Sequence, residues 1–104
     1  MDANEIRNDV LKHWGELMQG GDLLEFKKGQ TLFYQGHQPY GVYLIVSGEI
    51  SLIEKDKAGQ KNIQKALIGI PIGIDLICYH QAYPFSGVAN TAGAAFFIPK
   101  SVVS

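Results

Sequence analysis

The side chains best suited to bind a metal or to act as a nucleophile are one cysteine and three histidines: Cys78, His13, His37 and His80. A metal-dependent enzyme of β-sheet architecture needs clustered His and Glu ligands on facing strands. Here the histidines are scattered and no His-x-His pair occurs. No Ser-His-Asp, Cys-His or paired-carboxylate arrangement stands out either. The sequence therefore predicts a protein that is not an enzyme.

Cys78 and His80 are the two members of this set that lie close together in the chain. A single cysteine excludes an internal disulfide, a Cys-rich zinc site and an all-cysteine iron–sulfur cluster within one chain. A lone buried cysteine is usually a small core residue. His80 could ligate haem or a metal, since imidazole is the commonest metal ligand. Because no companion ligand stands at a suitable spacing, we interpret His80 as a hydrogen-bonded or solvated loop residue.

The charge pattern excludes several classes of partner for this segment. The formal net charge is −1 and the Lys and Arg residues do not cluster, whereas a nucleic-acid-binding surface is a basic patch. The acidic N-terminus lacks the basic region of a signal peptide, and the apolar runs are far shorter than a membrane span. We expect a cytoplasmic protein with no membrane contact. Charged residues make up 18%, which leaves open a face that meets another domain or subunit.

The N-terminal segment has the apolar periodicity of a helix. Ile6, Val10, Trp14 and Leu17 recur at helical spacing, which predicts a helix over about residues 4–18. Gly20-Gly21 would end it, because Gly accepts the left-handed conformation that follows many helices. We expect His13 on its surface, and we expect the apolar face to pack on the rest of the domain.

Glycines recur through the next stretch and predict short strands joined by tight turns. Gly29, Gly36, Gly41 and Gly48 are seven, five and seven residues apart. The predicted strands are Leu23–Phe26, Thr31–Tyr34, Val42–Val46, Glu49–Lys55, Asn62–Ile68 and Phe96–Ile98. Ser47-Gly48 predicts a two-residue hairpin and Asp56–Gly59 a type I turn. Many short strands with Gly-rich turns indicate a sandwich, a barrel or a jelly roll.

Two segments differ from ordinary hairpins. Asp75–Tyr79 could form one helical turn, with Asp75 as its cap. Asp75 could alternatively contact a ligand at the mouth of the β-structure. Pro99 at a first helical position, followed by Lys100–Ser104, predicts a helix that starts at the chain end. Because natural proteins seldom end one turn into a helix, we expect this chain to be a fragment of a longer protein.

Four motifs, in order and at suitable separations, carry a family resemblance. They are Lys28–Phe33 followed by Gln35-Gly36, Tyr43–Gly48, Ile72–Ile77 and Ile98-Pro99. Together they resemble the regulatory domain of the cyclic nucleotide-binding superfamily, in particular bacterial Crp/Fnr-type transcription regulators. The resemblance runs from about Leu24 to Val103.

The resemblance implies a single domain over residues 1–104, a mainly β fold with flanking helices. Its β-roll, a double-stranded β-helix or jelly roll of eight strands, would span about residues 23–98. A small-molecule effector would bind inside the roll. In full-length members a dimer helix and a helix-turn-helix domain follow, so homodimerisation and DNA binding would depend on parts that these 104 residues do not include.

The resemblance also points to a ligand cassette, but its ligand chemistry is altered. The candidate cassette residues are Gly73, Ile74, Asp75, Phe85, Ser86 and Gly87. In members that bind cyclic nucleotides, a Glu contacts the ribose and an Arg neutralises the phosphate; the corresponding positions here are Ile74 and Phe85. Losing a bidentate guanidinium from a buried anion site should cost more than about a hundredfold in affinity. We therefore expect no cyclic nucleotide binding in the usual mode.

The oxygen-sensing branch of the family suggests a second cofactor, an iron–sulfur cluster. Its cysteines lie mostly near the N-terminus, where this chain has none, and the position of the last ligand is Phe96. We expect no cluster, and the effector stays unknown. The predicted function is an effector-sensing domain of a Crp/Fnr-type regulator. The alternative is a free-standing or fused interaction module of the same fold with a degenerate pocket.

Overall fold

Eight short strands follow one another along the described part of the chain, which comprises residues 18–103 and the single positions 5, 12 and 15 of this computed structural model. The strands are β1 (Asp22–Phe26), β2 (Thr31–Phe33), β3 (Gly41–Ser47), β4 (Ile50–Lys55), β5 (Lys61–Lys65), β6 (Pro71–Ile72), β7 (Ser86–Ala89) and β8 (Gly93–Pro99). Two short helices, α1 (Ile74–Cys78) and α2 (Lys100–Val103), and a 3-10 turn at Met18–Gly20 accompany them.

The strands form two four-stranded antiparallel sheets. One sheet has the order β1-β8-β3-β6 and the other the order β2-β7-β4-β5. Successive strands therefore alternate between sheets, except for the β4–β5 hairpin. This arrangement confirms the predicted mainly β jelly-roll fold with flanking helices.

The core lies between the two sheets. Phe26, Ile45 and Ala95 contribute from the first sheet and Phe33 and Ile50 from the second, each no more than 5% exposed. β3 is buried on both faces, as the apolar run Val42–Val46 predicts, apart from Val46 at its end. α1 contacts β3, α2 contacts β3 and β8, and these two strands are the inner strands of the first sheet.

The Ser47-Gly48 turn does not form the predicted hairpin. β3 and β4 lie in different sheets, and the turn carries the chain from one to the other. Gly48 has φ +85°, and a Cβ at this position would lie 2.7 Å from the carbonyl oxygen of Ala92. The sequence signal for a tight glycine turn was correct, but local composition cannot distinguish a hairpin from a crossing between sheets.

The Asp56–Gly59 turn is confirmed and closes the β4–β5 hairpin. The Gly59 N–H donates to the Asp56 carbonyl over 3.1 Å. The Asp56 carboxylate accepts hydrogen bonds from the backbone N–H groups of Ala58 and Gln60, each with a donor–acceptor distance of 2.9 Å. An aspartate at the first turn position thus satisfies two turn donors with its side chain.

Several predicted boundaries shift. The strand predicted to end at Tyr34 ends at Phe33, and the one predicted over Asn62–Ile68 ends at Lys65, since an exposed apolar loop follows. Pro99 is the last residue of β8, and α2 begins one residue later. The strands β6 and β7 were not predicted from the residues.

At the N-terminus, positions 5, 12 and 15 are helical. The rest of the helix predicted over about residues 4–18, with His13, lies outside the described residues. Ser104 at the other end does so too.

Candidate functional site

Gly73 starts the predicted cassette with a backbone conformation that favours glycine. It is the N-cap of α1 with φ 105° and ψ −11°, and its carbonyl accepts from the N–H of Ile77 over 3.0 Å. A Cβ here would lie 3.1 Å from the Gly41 carbonyl oxygen and 3.6 Å from the Tyr83 hydroxyl. The position therefore needs a residue without a side chain, both for its φ and for the close approach of β3.

The prediction that Asp75 caps this helix is wrong. The cap is Gly73, with no side-chain capping hydrogen bond, and Asp75 lies inside the first turn of α1 and is exposed. A carboxylate in the first turn still interacts favourably with the helix dipole. Ile74, which the sequence resemblance aligns with a ribose-binding glutamate, is 5% exposed. It offers a ligand no polar group.

Phe85 and Ser86, in the second half of the predicted cassette, lie on opposite faces of the second sheet. Phe85 is half-buried and lines a small groove, whereas Ser86 lines a different cavity on the opposite face. The Ser86 hydroxyl accepts a hydrogen bond from the Gln35 N–H over 2.9 Å. Gly87 is covered by the ring of Phe33, which leaves no room for a Cβ. The six predicted residues thus do not surround one common cavity.

The groove beside Phe85 has a volume of about 180 Å³. Its other walls are Pro84 and four residues that share the inner face of the β4–β5 hairpin, namely Leu52, Glu54, Asn62 and Gln64. Ligand pockets are typically about 300–1,000 Å³, so the groove is small for an enclosed effector. In the described part of the chain, Glu54 is the one charged residue that lines it, and no lysine or arginine does. This groove therefore has no cation to neutralise a bound phosphate.

An aromatic cluster next to the cassette was not singled out by the sequence analysis. Phe33 and Tyr83 stack with ring centroids 4.3 Å apart, and Tyr43 packs 5.6 Å from Phe33 and 4.9 Å from Phe97. Phe85 approaches the same pair, at 6.0 Å from Phe33 and 6.5 Å from Tyr83. These rings come from four separate segments, so no local motif reveals them. An unusual number of aromatics on predicted strands is the signal that was available.

The tyrosines of this cluster keep their protons. Burial raises the pKa of Tyr83 far above its ordinary value of 10.0, and burial also raises the pKa of Tyr43. The Tyr43 hydroxyl donates to the Leu32 carbonyl over 3.2 Å. Both side chains are therefore neutral hydrogen-bonding groups at physiological pH.

The two histidines that the structure describes, His37 and His80, and the cysteine do not form a metal site among the described residues. His37 is exposed, with its ring 5.4 Å from that of Tyr34. His80 is exposed in a turn with φ 55°, in keeping with a solvated loop residue, and Cys78 is buried. Among the described residues, no three His, Cys, Asp or Glu side chains are grouped closely enough to hold a metal ion. Nor is any helix of that part of the chain long and apolar enough to cross a membrane.

Comparison with known families and structures agrees with the geometry. The family profile described as "Cyclic nucleotide-binding domain" matches residues 23–104. This confirms the resemblance drawn from the four sequence motifs. No curated protein matches the chain significantly.

Three solved structures illustrate the shared fold. A candidate cAMP-binding regulatory protein from Silicibacter pomeroyi is 22% identical with a TM-score of 0.79, over 88% of this chain and 43% of that one. The Thermus thermophilus Catabolite Activator Protein is 18% identical with a TM-score of 0.77, and the match covers 88% of this chain and 43% of that one. The sensor domain of the transcriptional regulator DNR from Pseudomonas aeruginosa is 19% identical with a TM-score of 0.75, and the match covers 94% of this chain and 68% of that one. The chain thus spans less than half the length of the first two.

Proposed function

Since the chain belongs to the cyclic nucleotide-binding domain family, we propose that it is the effector-sensing domain of a Crp/Fnr-type transcription regulator that does not bind cyclic nucleotide in the usual way. The domain is non-catalytic in this proposal. DNA contact and homodimerisation belong to parts of the full-length protein outside these 104 residues. A cytoplasmic location goes with the proposal as a prediction.

The observation that carries the altered specificity is the chemistry of the Phe85 groove. A cyclic phosphate held in a partly desolvated site needs a cation or several directed donors. The groove offers a phenyl ring where the family has arginine, and the carboxylate of Glu54 would repel an anion. The buried Ile74 removes the second contact, because it replaces a ribose-binding carboxylate with an alkyl group.

The sensor role is tested by the native gene product that contains this chain. We expect its sequence beyond residue 104 to encode a long helix and a helix-turn-helix, and the intact protein to bind operator DNA with an affinity that changes on effector addition. Native mass spectrometry of the purified protein would detect a bound effector as an added mass. A parent sequence without any DNA-binding module would contradict the proposal.

One observation favours the alternative of an interaction module with a degenerate pocket. The loop between β5 and β6 exposes a run of apolar side chains, with Leu67 68%, Ile68 61% and Ile70 55% exposed. Exposed apolar patches commonly mark surfaces that bind another protein or domain. A parent protein in which this domain is fused to a different module, and which retains no small molecule, would support this alternative.

A further inference from the structure

A further cavity, besides the groove at Phe85 and the cavity at Ser86, has a volume of about 320 Å³ and lies where β2 of one sheet faces β3 and β8 of the other. We propose that this cavity, here called the aromatic pocket, binds a neutral planar aromatic molecule. Its lining residues are Leu32, Phe33, Tyr34, His37, Gln38, Tyr40, Tyr43, Tyr83 and Phe97. The inference does not rest on the proposed regulatory function.

The walls of the pocket favour a flat ring. Phe33, Tyr43, Tyr83 and Phe97 hold one another at centroid distances of 4.3–5.6 Å, within the range of favourable aromatic contact. Because these four rings come from three strands and the segment before β7, the fold fixes their positions. An aromatic ligand can therefore pack against rings that are already in place, with little ordering cost.

The charge of the lining excludes ionic ligands. Among the residues that the structure describes, no lysine, arginine, aspartate or glutamate lines the pocket. A charged group placed there would lose hydration without gaining an ion partner. The available polar contacts are the side chains of His37 and Gln38 and the tyrosine hydroxyls, which suit one or two neutral hydrogen-bonding groups on the ligand.

The size and access of the pocket fit a small molecule. A volume of 320 Å³ lies at the lower end of the range for ligand sites, about 300–1,000 Å³. Tyr34 and Tyr40 are 53% and 80% exposed although both line the pocket, so part of its wall borders solvent. Burying these two rings against a ligand would remove apolar surface from water and add to affinity.

The aromatic pocket is distinct from the groove at Phe85, although rings that line the two cavities lie next to each other. Phe33 and Tyr83 line the pocket, and both approach Phe85, which lines the groove. None of the six cassette residues lines the aromatic pocket. The two cavities can therefore be tested separately.

The first experiment compares the affinities of two fluorescent probes that have the same ring system but differ in charge. N-phenyl-1-naphthylamine is neutral, and 8-anilino-1-naphthalenesulfonate adds a negative charge to the same ring system. In fluorescence titrations of the 104-residue chain, we expect saturable one-to-one binding of the neutral probe and at least about tenfold weaker binding of the sulfonate. Absence of saturable binding by the neutral probe, or equal affinity for both, would overturn the proposal.

The second experiment locates the binding site by substituting exposed tyrosines. Tyr40→Ala removes one wall of the pocket and should weaken the neutral probe by about tenfold, whereas Tyr40→Phe should keep its affinity. Tyr79→Ala is the matched control, because Tyr79 is 48% exposed and does not line the pocket. An unfolding curve verifies that each variant is folded. Unchanged binding in Tyr40→Ala, or an equal loss in Tyr79→Ala, would place the site elsewhere and contradict the proposal.

A failure of these titrations is distinguishable from a failure of the proposed function. The altered specificity of the cassette is measured with cyclic nucleotides, and the regulatory role with the parent protein. Neither measurement uses the aromatic probes.

Discussion

The turn at Gly48 and the groove at Phe85 differ in how strictly the surrounding structure limits the residue. At Gly48 a positive φ coincides with backbone atoms on the opposite strand, so any side chain collides with groups that cannot move aside. Phe85 is half-buried, packs against the margin of the core and borders a groove of about 180 Å³, which leaves space beside it for a different side chain. Positions such as Gly48 therefore restrict the residue because the fold requires it. Positions such as Phe85 accept other side chains, and these determine which ligand the groove can bind.

The largest effect should follow substitution at the crossing turn. Gly48→Ala combines a left-handed conformation with a Cβ 2.7 Å from a carbonyl oxygen, and should cost at least about 3 kcal/mol in the free energy of unfolding. Gly59→Ala is the matched control: Gly59 has φ +82° and open space around it, so about 1–2 kcal/mol is expected. Urea denaturation of both variants measures the difference. Equal losses would mean that crowding at the turn is unimportant.

A somewhat smaller effect is expected in the aromatic cluster. Phe33 is 5% exposed and stacks on Tyr83, so Phe33→Leu should lower the free energy of unfolding by about 2 kcal/mol. The neighbouring Tyr34 is 53% exposed, and Tyr34→Leu should change stability by less than about 0.5 kcal/mol. Thermal or urea unfolding gives both values. A loss at Tyr34 as large as at Phe33 would contradict the burial described.

The cassette should tolerate a large change. Phe85→Arg should lower the free energy of unfolding by about 1–2 kcal/mol, because the half-buried ring packs at the margin of the core but also borders a groove that Glu54 lines. Gly87→Ala, two residues away, meets the ring of Phe33 and should be clearly more destabilising. The two unfolding midpoints compare Phe85, just before β7, with the more restricted Gly87 inside β7. A reversed order would remove the distinction on which this account depends.

The smallest effect belongs to an exposed ion pair at the edge of the second sheet. Lys65 Nζ lies 2.6 Å from Glu49 Oε1, and hydrogen bonding to Lys65 lowers the pKa of Glu49 from its ordinary value of 4.5. A depressed carboxyl pKa contributes stability above pH 4.5 that is lost as the pH falls through the folded-state pKa. Since both groups are exposed, solvent screening keeps this contribution small.

Lys65→Met should return the pKa of Glu49 toward its ordinary value. A carbon-detected NMR titration of the Glu49 carboxyl group measures the shift directly. Lys61→Met provides the control, because Lys61 lies on the same strand and its hairpin partner is Lys55, not Glu49. An unchanged pKa in Lys65→Met would show that the ion pair does not persist in solution.

The parts of the fold that the sequence predicted are those with local signals. Positive-φ glycines, the Asp56 turn and the apolar strand β3 each depend on residues within a few positions of one another. The crossing at Gly48 was predicted as a hairpin, because the assignment of strands to sheets depends on long-range pairing of β3 with β8. The two-residue strand β6 is too short to leave a periodic pattern.

The candidate site was harder to predict for the same physical reason. Asp75 was expected to cap α1, but the preceding Gly73 does so with its backbone, since only glycine fits against β3 there. Phe85 and Ser86 are adjacent in sequence, yet Phe85 lies just before β7 and lines the groove, whereas Ser86 begins β7 and lines a different cavity. The aromatic pocket joins side chains that are far apart in the sequence, from Leu32 to Phe97, and no local spacing encodes that arrangement.

The central claim is that the chain keeps the cyclic nucleotide-binding fold without the usual anion chemistry. Isothermal titration calorimetry of cyclic AMP and cyclic GMP into the folded chain tests it most directly. We predict no stoichiometric heat with a Kd tighter than about 1 mM, because the Phe85 groove has no cation to replace the hydration of a phosphate. A one-to-one isotherm with a micromolar Kd, weakened by substitution at Ser86 or Phe85, would contradict the account.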